Sequence, residues 1–316
     1  MKPTVVLPIG FPEGLLDALA RHYIILRVRH TEPASFPVEA RAARVLITLG
    51  SFESGAALMD GLPKLGLICC YGTGFEGVDI AAARARGIAM TNGGDSNAAA
   101  VAEFAVGLMI ASARDMVRGD RALRRGEWRR SIIERMPVTP GLAGQRLGIY
   151  GLGSIGMKIA HLAAPFGVEI GYHNRKPRPD VSYAYHPSLL GLAGWADILM
   201  VAVRANDSNR HAINAEILAA LGRKGRLINI SRGLVVDETA LCDALEAGSI
   251  AGAALDVFEH EPSVPPRLLA FDDVILTPHM AAISKNAQRA HFETLLGNLE
   301  AFFAGRPLLT PVPSGP

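Results

Sequence analysis

Apolar residues recur along the chain in short runs set between polar segments with helical spacing. Residues 4–7, 23–28, 45–48, 65–70 and 88–91 are runs of the length and β-branched content expected of buried strands. Between the first two, residues 13–21 put Leu15, Leu16 and Leu19 on one side of a helix. Strands alternating with helices imply a parallel sheet covered on both faces. A long helix then runs over residues 98–118, with Val101, Ala105, Leu108 and Met109 on its apolar face and Ser96 or Asn97 as its cap. A basic, helix-like piece over 118–130 carries Trp128 and leads into the loop at 136–140; it packs on a neighbouring subunit or over the ligand site, or lies exposed on the surface. Further apolar strands recur at 147–150, 168–172, 197–203, 226–231, 251–257 and 274–277, with helices at 214–221 and 238–247 and a final helix over 284–303.

Length and composition narrow the class. The 316 residues leave room for two domains with sizeable cores. With 49% hydrophobic and 20% charged residues, the chain suits an α/β protein with buried strands. The 32 basic and 30 acidic residues nearly cancel, so nothing indicates general attraction to nucleic acid or anionic membranes. Cys69, Cys70 and Cys242 form no disulfide framework, and Cys69 and Cys70 read as small core residues of a reducing compartment. No cysteine–histidine spacing suggests a metal. The sequence shows neither a signal-peptide core nor an apolar run long enough to span a bilayer, so a cytoplasmic protein is expected.

The apolar run at 147–150 ends in Gly151-Leu152-Gly153-Ser154-Ile155-Gly156, and a helix with Ile155, Ile159, Leu162, Ala163 and Phe166 follows. A second strand comes next, completing a βαβ unit of the size that binds dinucleotides. Gly151 permits the tight turn, Gly153 lets backbone amides approach a pyrophosphate, and Gly156 lets the helix sit close to the strand. The helix start then offers free N–H groups and partial positive charge to phosphates. The expected fold is thus α/β, with two domains of Rossmann-like and flavodoxin-like type built on parallel sheets with a cleft between them. Residues 1–97, completed by 284–316, form the substrate domain, and residues 98–283 form the nucleotide domain.

NAD-preferring sites place an acid about twenty residues after the first glycine. Here His173 and Asn174 occupy that place, and Arg175, Lys176 and Arg178 follow. A 2′-phosphate meets cations there and no repelling carboxylate, which favours NADP(H) over NAD(H). In the first domain, the turn Gly72-Thr73-Gly74 after the fourth strand either offers backbone amides to a carboxylate or is an ordinary tight turn.

Three polar residues follow the later strands of the nucleotide domain: Arg232, Glu261 and His279. Loops at the carboxyl ends of strands are where catalytic groups of such a sheet belong. Reduction of a 2-oxoacid needs a cation to grip the carboxylate and polarise the ketone, an acid to protonate the new alkoxide, and a carboxylate to hold that acid protonated. Arginine, histidine and glutamate supply these roles in turn.

The chain resembles the D-isomer-specific 2-hydroxyacid dehydrogenase family through the glycine turn, Asn229-Ile-Ser-Arg-Gly233, Ala254-Leu-Asp-Val-Phe258 with Glu261-Pro262, and Thr277-Pro-His279. Within the family it is similar to NADPH-preferring glyoxylate and hydroxypyruvate reductases through Asn174-Arg-Lys-Pro-Arg178. The resemblance implies that Arg232, Glu261 and His279 are the catalytic trio, that Thr73 and Gly74 join Arg232 in binding a small 2-oxoacid, and that Asp256 meets the nicotinamide carboxamide. It also implies a homodimer through the nucleotide domain. An NAD-dependent dehydrogenase and a non-enzymatic, corepressor-like dinucleotide sensor are the alternatives. The segment 92–98 and Arg204 depart from the family's usual wording, and Ser96 or Asn97 stands where cofactor contacts are made by relatives. Met280-Ala-Ala-Ile283 after the histidine gives the pocket an apolar wall, suited to a small or mildly apolar oxoacid.

Overall fold

A computed structural model describes residues 2–11, 13–28, 36–128 and 138–312. The chain divides into two compact units, residues 1–97 with 284–316 and residues 98–283.

The first unit opens with β1 (Thr4–Leu7), α1 (Glu13–Ala20), β2 (Ile24–Arg27), β3 (Val45–Thr48), α2 (Ala56–Asp60), β4 (Leu67–Cys70), α3 (Ile80–Ala85) and β5 (Ala89–Thr91). The strands form one parallel sheet in the order β2-β1-β3-β4-β5, the flavodoxin-like order. Alternate residues serve opposite faces. Val6, Leu46, Ile68 and Met90 fill one core layer, while Val5, Leu7, Val45, Ile47 and Leu67 fill the other with Leu15, Leu16 and Leu19 of α1. Burial pushes the thiols of Cys69 and Cys70 up to about 12, so neither serves as a thiolate nucleophile.

The second unit begins with α4 (Ala98–Ala113) and α5 (Met116–Arg124). The single long helix expected over 98–118 is therefore interrupted. Asp115 takes a left-handed φ of 49°, and its carboxylate accepts from Arg226 at 3.0 Å in a largely buried pair. An ion pair in that setting holds the break against the helical propensity around it. Neither expected cap closes α4: Ser96 Oγ donates to the carbonyl of Gly93 at 2.6 Å, and Asn97 Oδ1 is buried without a partner among the described residues. The loop expected at 136–140 and the end of the basic piece before it lie partly outside the described residues.

The unit continues through β6 (Arg146–Tyr150), α6 (Ser154–Ala163), β7 (Glu169–His173), β8 (Ala184–Tyr185), α7 (Leu189–Trp195), β9 (Ile198–Val201), α8 (Ala215–Leu221), β10 (Arg226–Asn229), α9 (Glu238–Glu246), β11 (Gly252–Leu255), α10 (Pro266–Leu269) and β12 (Val274–Leu276). Its strands form a parallel sheet in the order β12-β11-β10-β9-β6-β7-β8. This is the doubly wound dinucleotide-binding order, extended by one strand. Helices α4 and α6 cover the face bearing Leu147, Ile149 and Met200; Leu192, Leu218 and Leu241 of α7, α8 and α9 cover the face bearing Leu199, Val201 and Leu227. The edge strand β8 escapes sequence reading because two residues carry no periodicity.

The last helix, α11 (Lys285–Phe303), is capped by Ser284, whose Oγ accepts from Ala287 N at 3.1 Å. It belongs to the first unit and packs Leu295 and Leu299 into the layer shared with α1. His291 on this helix is buried beside the Tyr71 ring, centroids 5.5 Å apart, and its Nε2 has no partner among the described residues. Burial lowers its pKa because the protonated imidazole loses solvation. A depressed folded-state pKa contributes stability above the unfolded value, about 6.5, which is lost as pH falls through the folded value. In urea unfolding at pH 7 and pH 5, His291→Met is therefore expected to show a smaller loss of stability on acidification than the wild type.

Candidate active site

In a parallel sheet all carboxyl ends lie along one edge, where open α/β sheets bind their ligands. The glycine turn follows β6 on that edge. Gly151 has φ of 100°, and a Cβ there would stand 2.5 Å from the Val203 backbone beyond β9. A Cβ on Gly156 would stand 2.2 Å from the Gly151 carbonyl oxygen. Gly153 differs: no atom of the described residues lies within 4 Å of its Cβ position. It leads directly into Ser154 and Ile155 at the start of α6, with no side chain capping the helix. The turn thus closes on itself at two glycines and leaves open space at the third, in front of unpaired helix amides. A pyrophosphate fits that cradle. Gly153→Ala is expected to keep the wild-type melting temperature but weaken dinucleotide binding in a fluorescence titration. Gly156→Ala is expected to lose about 1–3 kcal/mol of stability through overpacking.

The residues expected to read the adenosine end fall into two groups. Arg175 and Lys176 are exposed, and neither forms a hydrogen bond or ion pair with another described residue. Asn174 and Arg178 are engaged. Asn174 Oδ1 accepts from Leu152 N at 2.7 Å. Arg178 Nη1 donates to Leu152 O at 3.0 Å, and its Nε donates to Asp180 at 3.0 Å. Arg204 is exposed, and its carbonyl accepts from Asn209 Nδ2 at 2.8 Å.

The three candidate catalytic residues sit past three neighbouring strands: Arg232 after β10, Glu261 after β11 and His279 after β12. Glu261 Oε2 lies 2.7 Å from His279 Nδ1, and its Oε1 accepts from Phe258 N at 3.0 Å. Both side chains remain well exposed, at 45% for the histidine and 35% for the glutamate. His279 has a left-handed φ of 49°, which non-glycine residues rarely adopt. Its N–H donates to Asp256 O at 2.8 Å.

Asp256 has a task that the sequence did not suggest. Expected at the nicotinamide, it is buried and anchors the histidine loop: Thr277 Oγ1 donates to Oδ1 at 2.6 Å, Met280 N to Oδ1 at 2.9 Å, and Ala281 N to Oδ2 at 2.9 Å. Arg232 is held by a comparable device. Asn229 Oδ1 accepts from Ser231 N and Oγ, each at 3.0 Å, while its Nδ2 donates to Arg232 O at 3.1 Å. Gly233 then packs so closely on the Phe258–Glu259 peptide that a Cβ would stand 1.9 Å from Phe258 C. The arginine loop and the glutamate loop are therefore in direct backbone contact.

A further layer went unread in the sequence. Glu238, at the start of α9, is buried and accepts from Glu259 N at 2.8 Å; burial pushes its carboxyl above the usual range, and the Glu259 carboxylate adds to the shift. The Glu259 side chain in turn accepts from His211 Nε2 at 2.9 Å and from Arg210. In the sequence position 238 marks only the start of a helical segment, and this contact to a residue 21 positions away leaves no local signal.

In the first unit, the turn after β4 is shaped from both sides. Gly72 has φ of 111°, Gly93 N donates to its carbonyl at 2.5 Å, and Asn92 Nδ2 donates to Thr73 O at 2.7 Å. A Cβ on Gly50 would stand 2.2 Å from the Gly74 carbonyl group. The backbone N–H groups of Thr73 and Gly74 find no partner among the described residues. Among those residues no cluster of His, Cys, Asp and Glu is placed to hold a metal, and no helix is long and apolar enough to cross a membrane.

The family model described as D-isomer specific 2-hydroxyacid dehydrogenase, NAD binding domain, matches residues 106–281. The chain belongs to the D-isomer-specific 2-hydroxyacid dehydrogenases. It is 38% identical to a hydroxyphenylpyruvate reductase of Plectranthus scutellarioides, over 89% of this chain and 90% of that protein. It is 37% identical to glyoxylate/hydroxypyruvate reductase A of Arabidopsis thaliana, over 94% and 95% of the two chains. Among solved structures it is similar to an NADPH-dependent glyoxylate/hydroxypyruvate reductase from Sinorhizobium meliloti in complex with NADP and malonate, with TM-score 0.90 and 38% identity over 99% of this chain and 98% of that one. A 2-hydroxyacid dehydrogenase from Ketogulonicigenium vulgare superposes with TM-score 0.91 and 34% identity, over 99% of each chain. As a member of this family the chain is an oxidoreductase with two parallel-sheet α/β domains, as its sequence implied.

Proposed function

We propose that this dehydrogenase reduces glyoxylate, hydroxypyruvate or a similar small 2-oxoacid to the D-2-hydroxyacid, with NADPH as the preferred cofactor. The observation that carries the reading is the 2.7 Å contact between His279 Nδ1 and Glu261 Oε2 at the carboxyl edge of a dinucleotide-type sheet. A sensor without turnover has no use for a paired, exposed acid there. Because Nδ1 is tied to the glutamate, Nε2 is the atom that faces substrate. With Nδ1 held by Glu261, His279 gives the proton on Nε2 to the oxygen that becomes the alcohol. Arg232 grips the carboxylate and the keto oxygen, drawing electron density from C2. The amides of Thr73 and Gly74 bind the carboxylate. Asp256 anchors the histidine loop beside the nicotinamide carboxamide, with Ala281 N bonded to its Oδ2. A bound reduced nicotinamide supplies the hydride to C2.

Cofactor preference rests on Arg175 and Lys176, exposed cations beside the glycine turn with no acid at the usual place. A panel of 2-oxoacids assayed with NADPH and NADH tests the substrate class and the preference together. Arg175→Ala is expected to lower kcat/KM for NADPH about ten- to hundredfold, the worth of a charged hydrogen bond, and to leave NADH nearly unaffected. Equal losses with both cofactors contradict the 2′-phosphate reading.

The same proposal includes a cytoplasmic homodimer formed through the second unit. Met116, Leu123 and Trp128 are exposed apolar side chains on and just after α5, a helix that buries none of its residues within its own unit. Light scattering of the wild type and of Leu123→Glu tests the assembly, and fractionation tests the location.

A further inference from the structure

The segment after β7 is fastened at both ends before any ligand is considered. Arg178 N donates to the Tyr172 hydroxyl at 2.8 Å, and the Tyr185 hydroxyl donates to the Asn174 carbonyl at 3.2 Å. Tyr172 is almost fully buried in the core, so its hydroxyl is a fixed point. From this anchored segment two side chains reach back to one residue of the glycine turn. Asn174 Oδ1 takes the N–H of Leu152 at 2.7 Å, and Arg178 Nη1 gives a hydrogen bond to the Leu152 carbonyl at 3.0 Å. Both backbone polar groups of the residue between Gly151 and Gly153 are thereby occupied. Asp180 orients the guanidinium through Nε at 3.0 Å and through Nη2, and Arg178 holds the Asp180 carboxyl below the usual carboxylate range. Arg178 is thus already committed to a carboxylate and a carbonyl, unlike Arg175 and Lys176.

We propose that Asn174 and Arg178, the latter braced by Asp180, are positioning residues that hold the two peptide groups flanking Leu152 and so set the glycine turn for the pyrophosphate of either dinucleotide. Sequence position alone puts both residues among those that read the 2′-phosphate. The geometry gives them a different task, shared by NADPH and NADH. The proposal extends the cofactor reading above, but its effect on NADH does not depend on NADPH being preferred.

The test is a fluorescence titration of the full-length protein with NADPH and NADH, together with competition by adenosine 2′-monophosphate, which carries the 2′-phosphate and no pyrophosphate. Arg178→Ala is expected to raise Kd for both dinucleotides about tenfold, leaving their ratio within about twofold and 2′-monophosphate binding unchanged. Asn174→Ala is expected to weaken both dinucleotides likewise. Asn174→Asp retains an acceptor for Leu152 N–H while adding a charge that repels the 2′-phosphate, so it is expected to spare NADH and weaken NADPH. That rescue separates positioning from general structural damage. If thermal melting shows Arg178→Ala to be unfolded, Asp180→Asn at an exposed carboxylate carries the same readout with a smaller change. Loss of NADPH and 2′-monophosphate binding with NADH intact in Arg178→Ala overturns the proposal, as does unchanged binding of both dinucleotides. Equal wild-type affinity for the two cofactors contradicts the NADPH preference alone and leaves this test standing.

Discussion

His279→Asn is expected to lower kcat for glyoxylate reduction by about 10²–10⁴-fold, the usual worth of a general acid. Asparagine is the informative replacement because position 279 sits at φ 49°. Alanine there is strained whatever its chemistry, whereas asparagine tolerates the left-handed region. The loop's backbone bond from residue 279 N to Asp256 O, and the Asp256 bonds to Met280 and Ala281, do not involve the imidazole. A folded variant with unchanged cofactor binding and collapsed kcat is therefore the expected outcome, read by steady-state kinetics and melting. A kcat within a few-fold of wild type removes the histidine from the proton step. Glu261→Gln is expected to fall between the two, about ten- to hundredfold down, because the amide oxygen can still accept from Phe258 N while the amide NH2 then faces Nδ1 and cannot accept from it.

Gly233→Ala is expected to damage both stability and turnover. The added methyl would stand 1.9 Å from Phe258 C and 2.2 Å from Glu259 N, and these are backbone atoms that cannot rotate away. Overpacking of this kind costs about 1–3 kcal/mol, occasionally more. The movement that relieves it must separate the Arg232 loop from the loop carrying Glu261. Displacing catalytic groups by about 1 Å can cost about 10²-fold in rate. Denaturant unfolding and kcat/KM measured on one preparation should show both losses. Alanine at Gly153, where the space is open, is the control that alters binding and spares stability.

Much of this was legible in the sequence because period and position both spoke. The central strands of both sheets are short apolar runs, as parallel strands buried on two faces must be, and the three catalytic candidates follow three such runs. The glycine turn was legible because each glycine answers a separate steric demand, and the structure supplies a different neighbour, or none, for each. What escaped was fixed by partners distant in the chain. Helical spacing could not reveal the break at Asp115, which depends on Arg226. The tasks of Asn174, Arg178 and Asp256 depend on the backbone atoms they meet, and residue type is silent about those atoms. Glu238 is a buried acceptor for the loop next to Glu261, a contact that its place at a helix start does not announce.

The first unit is made from both ends of the chain, with its last helix following the whole nucleotide-binding unit. Synthesis runs in one direction, so the ribosome completes residues 98–283 while the earlier sheet still lacks Leu295 and Leu299 in its outer layer. The inserted unit has a self-contained pair of cores and can settle as soon as it emerges. The half that began first is thus the last to close, and any premature stop near the C-terminus leaves a finished nucleotide fold tethered to an unfinished one.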